Sequence, residues 1–537
     1  MRARLDERPR TAHRRVGTPL LESRNSSRPP QCPGHPEGVP ASQAASRGAR
    51  RRLRHGPGAA SCSARQSSAR LDRLRHPHQQ GGQAVALTLY NTLTNVKEAF
   101  TTRNAGVVEM FVCGPTVYDL SHVGHAKTYT QFDLVARYLR RSGYRVTYAQ
   151  NITDVDDKII RRAQEIETDP RELATKYEQQ YRDDMTALGN TSVDVYARAH
   201  DHIGDIIEQV QQLIARGHAY QLDDGWYFDL ASFGEYGKLS GRTDVQPEDS
   251  LSRIDEHAGK RNPGDFALWK ARKPGEPYWD GALGEGRPGW HIEDTAITNA
   301  LFGPQYDLHG GAVDLIFPHH EAEIAQMESA SGAAPLARYW MHTGLLRVDG
   351  SKMSKSLGNF TTIRDALVHT DYRTLRYVFL SQHYRSSTDY TAETIAQAQA
   401  ARRRVENFAR TITTADTTES AGRAQDARTA FFTRLDDDFD TPGALAALFE
   451  YIRETNRSTT APGPAASRFL DEVNALLDTF EITADQETDS TIDAALQRRE
   501  QHRRNKEYAA ADAIRDELAA KGITIEDTPE GTRWWRT

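Results

Sequence analysis

Residues 108–152 confine the fold more tightly than any other part of the chain. "VEMFVCG" (108–114) and "RVTYAQNI" (145–152) are short apolar runs with the composition of buried strands. Between them Phe132, Val135, Ala136 and Leu139 recur at i, i+3, i+4 and i+7, one buried face of a helix, and Gly143 stands where a C′ residue ends it. Strand, helix and strand within about 45 residues is a βαβ unit, which demands a parallel sheet with helices over its faces. Ligands of such sheets bind beyond the carboxyl ends of the strands. "CGPTVYDLSHVGH" (113–125) follows one strand end and "NITDVDD" (151–157) the next, so the chemistry is expected there.

At 537 residues the chain is too long for one core, and three or more domains are expected. Its 38% hydrophobic and 26% charged residues fit a folded protein, and no apolar run approaches the roughly 18 residues of a membrane helix. Three cysteines cannot build a disulfide framework, which points to a reducing, cytoplasmic setting. Residues 1–84 stand apart, with 17 Arg, no Lys, 5 acidic residues and no helical or strand period, so disorder is expected. A basic arm for RNA, a targeting peptide and a start assigned too far upstream are its three readings; Asp6, Glu7 and the lack of an apolar stretch argue against targeting. Without that segment's +12, the net charge of −6 becomes −18, so RNA would have to be met by a local basic patch.

Residues 196–285 read as an insertion, with helical pieces, "GWYFDL" and a polar Gly/Pro-rich run. From about 392, helical patterns dominate, separated by acidic, Thr-rich joints such as "ADTTESAG" (415–422). The last fifty or so residues change again: a helix runs through Lys521 to Gly522, and "ITIED" and "TRWWRT" flank the turn "TPEG" as a hairpin.

Two motifs carry chemistry. HVGH, His122 to His125, lies where a strand gives way to a helix, whose free N–H groups and dipole favour phosphate. Two imidazoles there can donate to phosphate oxygens as charge grows on a leaving group. KMSKS, residues 352 to 356, puts Lys352 and Lys355 in a Ser/Gly-rich loop suited to a mobile clamp on a triphosphate. Either alone could be an exposed polar loop. In this order within one α/β region they are a highly specific pair.

With "FVCGPTVYDLSHVGH", "NITDVDDKII", "GRPGWHIED", "DLHGGAVDLIFPHHEAEIAQ" and "KMSKSLGNF", residues 86–537 resemble the cysteinyl-tRNA synthetases, class I aminoacyl-tRNA synthetases. The resemblance implies an α/β fold. A Rossmann-type parallel-sheet catalytic domain in two halves (85–195 and 286–335) would surround a connective insertion (196–285). A KMSKS-bearing stem-contact region (336–391), a helical bundle (392–482) and a small α+β anticodon module (483–537) would follow. It further implies ATP with Mg²⁺ and L-cysteine as substrates, tRNA-Cys as partner, no membrane, and a monomer.

It also implies one zinc ion per chain that binds the substrate thiolate. Carried over by motif, the ligands are Cys113, His319 and Glu323, with Asp294 where the family's "GWHIEC" has its second cysteine. A carboxylate is an accepted zinc ligand and keeps the formal charge of the thiolate it replaces; the alternative is that Asp294 stands outside the ligand set. Metal–sulfur recognition would separate cysteine from serine, since a thiol ionises far more readily than a hydroxyl. Thr153 and Trp290 would line the amino-acid pocket, although Thr153 could cap the helix of "DVDD" and Trp290 could be plain core. For ATP the resemblance implies His122, His125, Lys355, Gly310, Gly311 and Asp314, with Ala312 replacing the third glycine of the family's HGGG.

In the C-terminal module Arg503, Asp512, Arg515, Asp527 and Trp534 match the anticodon-recognition pattern. Arg and Asp suit unpaired base edges and Trp a stacked base, or the hairpin's own packing. A cysteine ligase acting on an amino sugar would share HVGH, KMSKS and zinc but would have no use for this module. A catalytically silent RNA-binding paralogue is the second alternative.

Overall fold

The computed structural model describes residues 87–242, 257–348, 350–352, 360–482, 490–528 and 531–536. Residues 1–84 and Lys355 lie outside the described residues.

A short antiparallel pair, β1 (Thr88–Asn91) and β2 (Val96–Ala99), leads into β3 (Val107–Val112), α1 (Val123–Arg141) and β4 (Arg145–Ile152). These last three are the βαβ unit: β3 and β4 pair in parallel from Val107↔Arg145 to Val112↔Gln150. On α1, Phe132, Val135, Ala136 and Leu139 are all buried, and Gly143 takes φ +92°, a left-handed conformation that favours glycine. The helices α2 (Asp157–Glu165) and α3 (Pro170–Ala187) then carry the chain to β5 (Val195–Arg198), which takes the sheet past residue 195.

Beyond β5 the chain supplies α4 (Ile203–Ala215) and the strands β6 (Ala219–Leu222), β7 (Gly225–Phe228), β8 (Phe266–Ala271) and β9 (Gly286–Pro288). They form an antiparallel sheet in that order. Asp157 at the start of α2 pins it, accepting from Lys270 of β8 at 2.8 Å and from Arg287 of β9 at 2.6 Å.

The chain returns through α5 (Ile292–Phe302), β10 (Tyr306–Ala312), α6 (Glu321–Ser331) and β11 (Ala337–Thr343). The main sheet is parallel throughout, in the order β11-β10-β3-β4-β5. Its strand order reverses between β10 and β3, so a crevice opens at their carboxyl ends. The Cys113 amide donates to Gly310 O there, at 3.0 Å.

Two short strands, β12 (Leu346–Val348) and β13 (Ser351–Lys352), run toward KMSKS; α7 (Ile363–His369), α8 (Tyr372–Leu380) and β14 (Thr388–Tyr390) follow. The helical region is α9 (Ala392–Ala409), α10 (Thr418–Asp436), α11 (Thr441–Arg457) and α12 (Pro464–Leu477). Here one expectation is corrected. "ADTTESAG" is not a joint throughout, because the Thr417 hydroxyl accepts from Ser420 N and Ser420 answers the Thr417 amide, a capping box that starts α10 at Thr418. This region shares one apolar core with α1, from Phe132 and Leu139 to Phe431, Leu448 and Phe469. Arg376 locks the two: fully buried, it donates to Asp133 of α1 at 2.9 Å and to Leu477 O at 2.8 Å.

The C-terminal unit is α13 (Ser490–Arg504), α14 (Tyr508–Ala520) and the hairpin of β15 (Ile523–Thr528) with β16 (Gly531–Arg536). No helix among the described residues is long and apolar enough to cross a membrane.

Candidate active site

HVGH caps its own helix. His122 is the N-cap of α1, and its Nδ1 accepts from Gly124 N at 3.1 Å and from His125 N at 3.3 Å; His125 Nδ1 answers the His122 amide at 3.4 Å. Each Nδ1 is thereby an acceptor, so each neutral ring carries its proton on Nε2, the donor that a phosphate oxygen requires. The rings stack at 3.8 Å between centroids. Burial, with the charges of His122 and Lys158, holds the His125 imidazole well below the usual range.

Gly114 must be glycine, since a Cβ there would lie 1.8 Å from the Asn151 carbonyl oxygen. The two strand ends touch at that point and place Cys113 over the mouth of β10. Four side chains converge on its sulfur. Sγ lies 3.2 Å from Asp294 Oδ2, 3.8 Å from Glu323 Oε1, 3.3 Å from His309 Nε2 and 3.1 Å from His320 Nε2. His319 Nε2 lies 3.1 Å from Asp294 Oδ2 and 3.0 Å from Glu323 Oε1. The four residues carried over by motif, Cys113, Asp294, His319 and Glu323, therefore meet, their ligand atoms all within 4.8 Å of one another. Cys113, His309, His320 and Glu323 make a second, overlapping group within the same limit. Of the two, only the first opens to the cleft through three members, Cys113, Asp294 and His319.

The donor set of one thiol, one imidazole and two carboxylates fits a borderline divalent cation such as Zn²⁺. Asp294, Glu293 and Glu323 are all buried, and among the described residues no Lys or Arg pairs with them. Burial pushes the Cys113 thiol well up, and the carboxylates of Glu323 and Asp294 push it further. Burial also raises Glu293 and Glu323, each aided by the charge of Asp294. Glu323 Oε2 and Glu293 Oε2 are buried with no hydrogen-bond partner. A metal ion held there would compensate this excess of acidic groups, reverse the local pKa logic and take the thiol as thiolate.

Several supporting residues escaped the sequence reading. Asn151 Nδ2 donates to Asp294 Oδ1 at 2.6 Å, and His309 Nδ1 meets the Tyr306 hydroxyl at 2.6 Å. His320 Nδ1 lies 2.8 Å from His342 Nε2, and His319 Nδ1 lies 2.7 Å from His291 Nδ1. The doubled histidine of "PHHE" and the Asn of "NITD" were the available signals; their convergence on one sulfur lies in the sheet order.

Thr153 is not a helix cap. Asp156 caps α2, and the Thr153 hydroxyl donates to Glu293. Trp290 is half-buried rather than core and stacks on His319 at 4.5 Å. Cys113, His122, His125, Thr153, Trp290, Asp294, Asp314 and His319 all line one cleft of about 1020 Å³. Gly310 and Gly311 do not: they are buried in β10, where a Cβ would come within 2.5 Å of the Phe132 ring and 2.7 Å of His320, so packing is what requires them. Ala312, in extended backbone at φ −80°, lines the cleft without strain. The backbone of Lys352 ends β13, and Arg347 and Gly350 beside it reach the cleft.

In the C-terminal unit Asp527 accepts from Arg499 at 2.7 and 2.8 Å and pairs with Arg503 at 2.8 Å. Asp512 and Arg515 face each other at 3.6 Å on α14 and are exposed. Trp534 is half-buried against Leu496, Leu518 and Ile523, the hairpin packing foreseen as its alternative.

Comparison with known proteins agrees with this architecture. The model for the class I (C) tRNA synthetase catalytic domain matches residues 99–400, the DALR domain 430–485, and the cysteinyl-tRNA ligase anticodon binding domain 485–536. The cysteine–tRNA ligase of Alkalilimnicola ehrlichii is 46% identical over 467 residues, which cover 84% of this chain and 100% of the relative. That of Thermococcus onnurineus is 44% identical over 477 residues, covering 84% and 99%. Among solved structures, Mycobacterium tuberculosis methionyl-tRNA synthetase in complex with methionyl-adenylate superposes with a TM-score of 0.52 at 17% identity, over 65% of this chain and 83% of its own, a likeness of fold alone. Sheet, cleft, C-terminal unit and relatives converge, and the chain belongs to the cysteine–tRNA ligase family of class I synthetases, enzymes that charge tRNA with cysteine.

Proposed function

We propose that this chain activates L-cysteine with ATP, releasing pyrophosphate, and passes the cysteinyl group from the adenylate to the 3′-terminal adenosine of tRNA-Cys. The observation that carries this reading is that Cys113, Asp294 and His319 line the same cleft as His122 and His125. A sulfur-seeking site and a phosphate-seeking helix start thus share one cavity, as joining an amino acid to a nucleotide requires.

In this scheme Cys113, Asp294, His319 and Glu323 would hold Zn²⁺, one per chain. Bound there, the ion would supply a ligand position that prefers the substrate's thiolate to a serine hydroxyl. Trp290, stacked on His319, and Thr153, fixed by Glu293, shape the space for the amino acid. Asp314, exposed at the cleft, addresses the ribose or the substrate ammonium. The cysteine carboxylate attacks the α-phosphorus in line, and the Nε2–H donors of His122 and His125, with Lys352, Lys355 and Mg²⁺, stabilise the departing pyrophosphate. No side chain acts as nucleophile. The C-terminal unit would read the anticodon through Arg503, Asp512, Arg515 and Asp527, with Trp534 chiefly supporting its hairpin.

The test is charging of total tRNA with labelled cysteine in the presence of excess serine. Charging that ignores serine is expected. Cysteine-dependent transfer to an amino sugar and not to tRNA would replace this reading with the amino-sugar ligase, and RNA binding without adenylate formation with the silent paralogue.

A further inference from the structure

Lys158 is the second residue of α2, its amide held by Asp156 Oδ1 at 2.8 Å and its side chain exposed. The ammonium lies 5.7 Å from the centroid of the Trp290 ring and 5.9 Å from that of Tyr118. Aromatic faces orient a cation without neutralising it.

Its acidic neighbours on the chain are Asp156, which caps α2 and acts on the Lys158 charge without forming an ion pair, and Asp157. Asp157 is taken by Lys270 and Arg287, and Arg162, one turn along α2, pairs with Glu165 at 3.0 Å. Among the described residues no carboxylate forms an ion pair with Lys158, so its ammonium stays available to the cleft it lines.

Its position gives that charge a use. Lys158 lines both the main cleft and a smaller cavity of about 160 Å³ beside it, and shares both with His122 and His125. On one side is Trp290, stacked on a residue of the metal group; on the other is the phosphate-seeking start of α1. Between an amino-acid pocket and a triphosphate site lies the point where carboxylate and α-phosphorus must meet. The histidines of HVGH and the lysines of KMSKS are assigned to the leaving group, which leaves the α-phosphoryl oxygens without a cation of their own.

We propose that Lys158 is a catalytic residue of the activation step, its ammonium contacting the α-phosphoryl oxygens and the attacking carboxylate as they join. A carboxylate oxygen forms the new bond to phosphorus, and the bond from that phosphorus to the bridging oxygen breaks with its electron pair leaving on pyrophosphate. Lys158 keeps its proton throughout and acts by charge alone. This assignment rests on the activation reaction proposed above.

The experiment is cysteine-dependent ATP–pyrophosphate exchange by the full chain and by Lys158→Met and Lys158→Arg, with metal content and melting temperature measured in parallel. Lys158→Met should lower kcat by about 100- to 1000-fold, the usual loss for one transition-state donor, while KM for ATP moves less than about threefold. Lys158→Arg should recover at least about tenfold of that loss, because it restores charge with altered shape. A Lys158→Met kcat within about threefold of wild type would overturn the proposal, as would equal loss in both variants or loss accompanied by metal depletion. Failure of the wild-type chain to exchange would instead remove the activation reading itself.

Discussion

Asn151 Nδ2 donates to Asp294 Oδ1 at 2.6 Å, and that bond leaves the second oxygen, Oδ2, facing Cys113 Sγ at 3.2 Å and His319 Nε2 at 3.1 Å. The carboxylate is thus held edge-on, with one oxygen committed to the scaffold and one to the cluster. A monodentate metal ligand would need its carboxylate oriented by a support in this way.

Asp294→Ala should lower metal affinity by more than the 10- to 100-fold typical of losing an orienting partner, whereas Asp294→Cys should retain the metal. Asn151→Ala should fall within about 10- to 100-fold. Equilibrium dialysis against graded chelators, with cobalt absorption as a second readout, distinguishes the three variants. Retention of wild-type affinity by Asp294→Ala would remove Asp294 from the ligand set.

Arg376 is a fully buried cation outside the site. Besides Asp133 and Leu477 O it donates to Asn190 Oδ1 at 2.7 Å and to Leu188 O at 3.2 Å. Breaking a buried ion pair typically costs about 3–5 kcal/mol because it strands the partner. Asp133 keeps Arg137 at 2.8 Å, so Arg376→Ala should sit at the low end, about 3 kcal/mol, read as a lower urea midpoint.

Acid should loosen the antiparallel sheet of β6 to β9. Burial alone would raise the Asp157 carboxyl, but the Lys270 ammonium and Arg287 guanidinium outweigh it and hold the group at about 2. A depressed carboxyl contributes stability that is complete above its unfolded value near pH 4 and is lost as pH falls through about 2. The contribution is about 2 kcal/mol, so wild type should lose about that much more stability than Asp157→Asn between pH 5 and pH 2. Parallel acid limbs for the two proteins would refute the assignment.

The C-terminal unit predicts a separation of steps. Arg503→Ala leaves Asp527 bound by Arg499, so the hairpin keeps its anchor. Its kcat/KM for tRNA should fall about tenfold or more while cysteine-dependent pyrophosphate exchange stays unchanged. A matching fall in exchange would mean that the unit acts on the catalytic cleft and not on the anticodon.

The parts of the fold governed by local rules were legible in advance. The i, i+3, i+4, i+7 run of α1 and the glycine after it are local facts, as is the hairpin around "TPEG". The start of α10 was equally local but was masked by the polar residues that cap it: Thr417 and Ser420 look like a joint until their hydroxyls are seen closing on backbone amides. The site was legible where motif fixes position, as for Cys113, His319 and Glu323. His309 and Asn151 were not, because β3, β4 and β10 become neighbours only through the strand order. Lys158 was invisible for another reason: its meaning lies in sharing two cavities with His122 and His125, which only packing reveals.

The exchange of a second cysteine for Asp294 also changes how this site would age. Two cysteine ligands left without their metal stand close enough to oxidise to a disulfide, which then excludes the ion until it is reduced. Cys113 is the only cysteine between residue 85 and the C-terminus, and its nearest neighbours are carboxylates and imidazoles. A metal ion lost from such a centre leaves no pair of cysteine ligands to join in a disulfide, so reloading never has to wait for one to be reduced. An enzyme whose own substrate is a free thiol gains from this a site that cystine and other disulfides can cap but cannot staple shut.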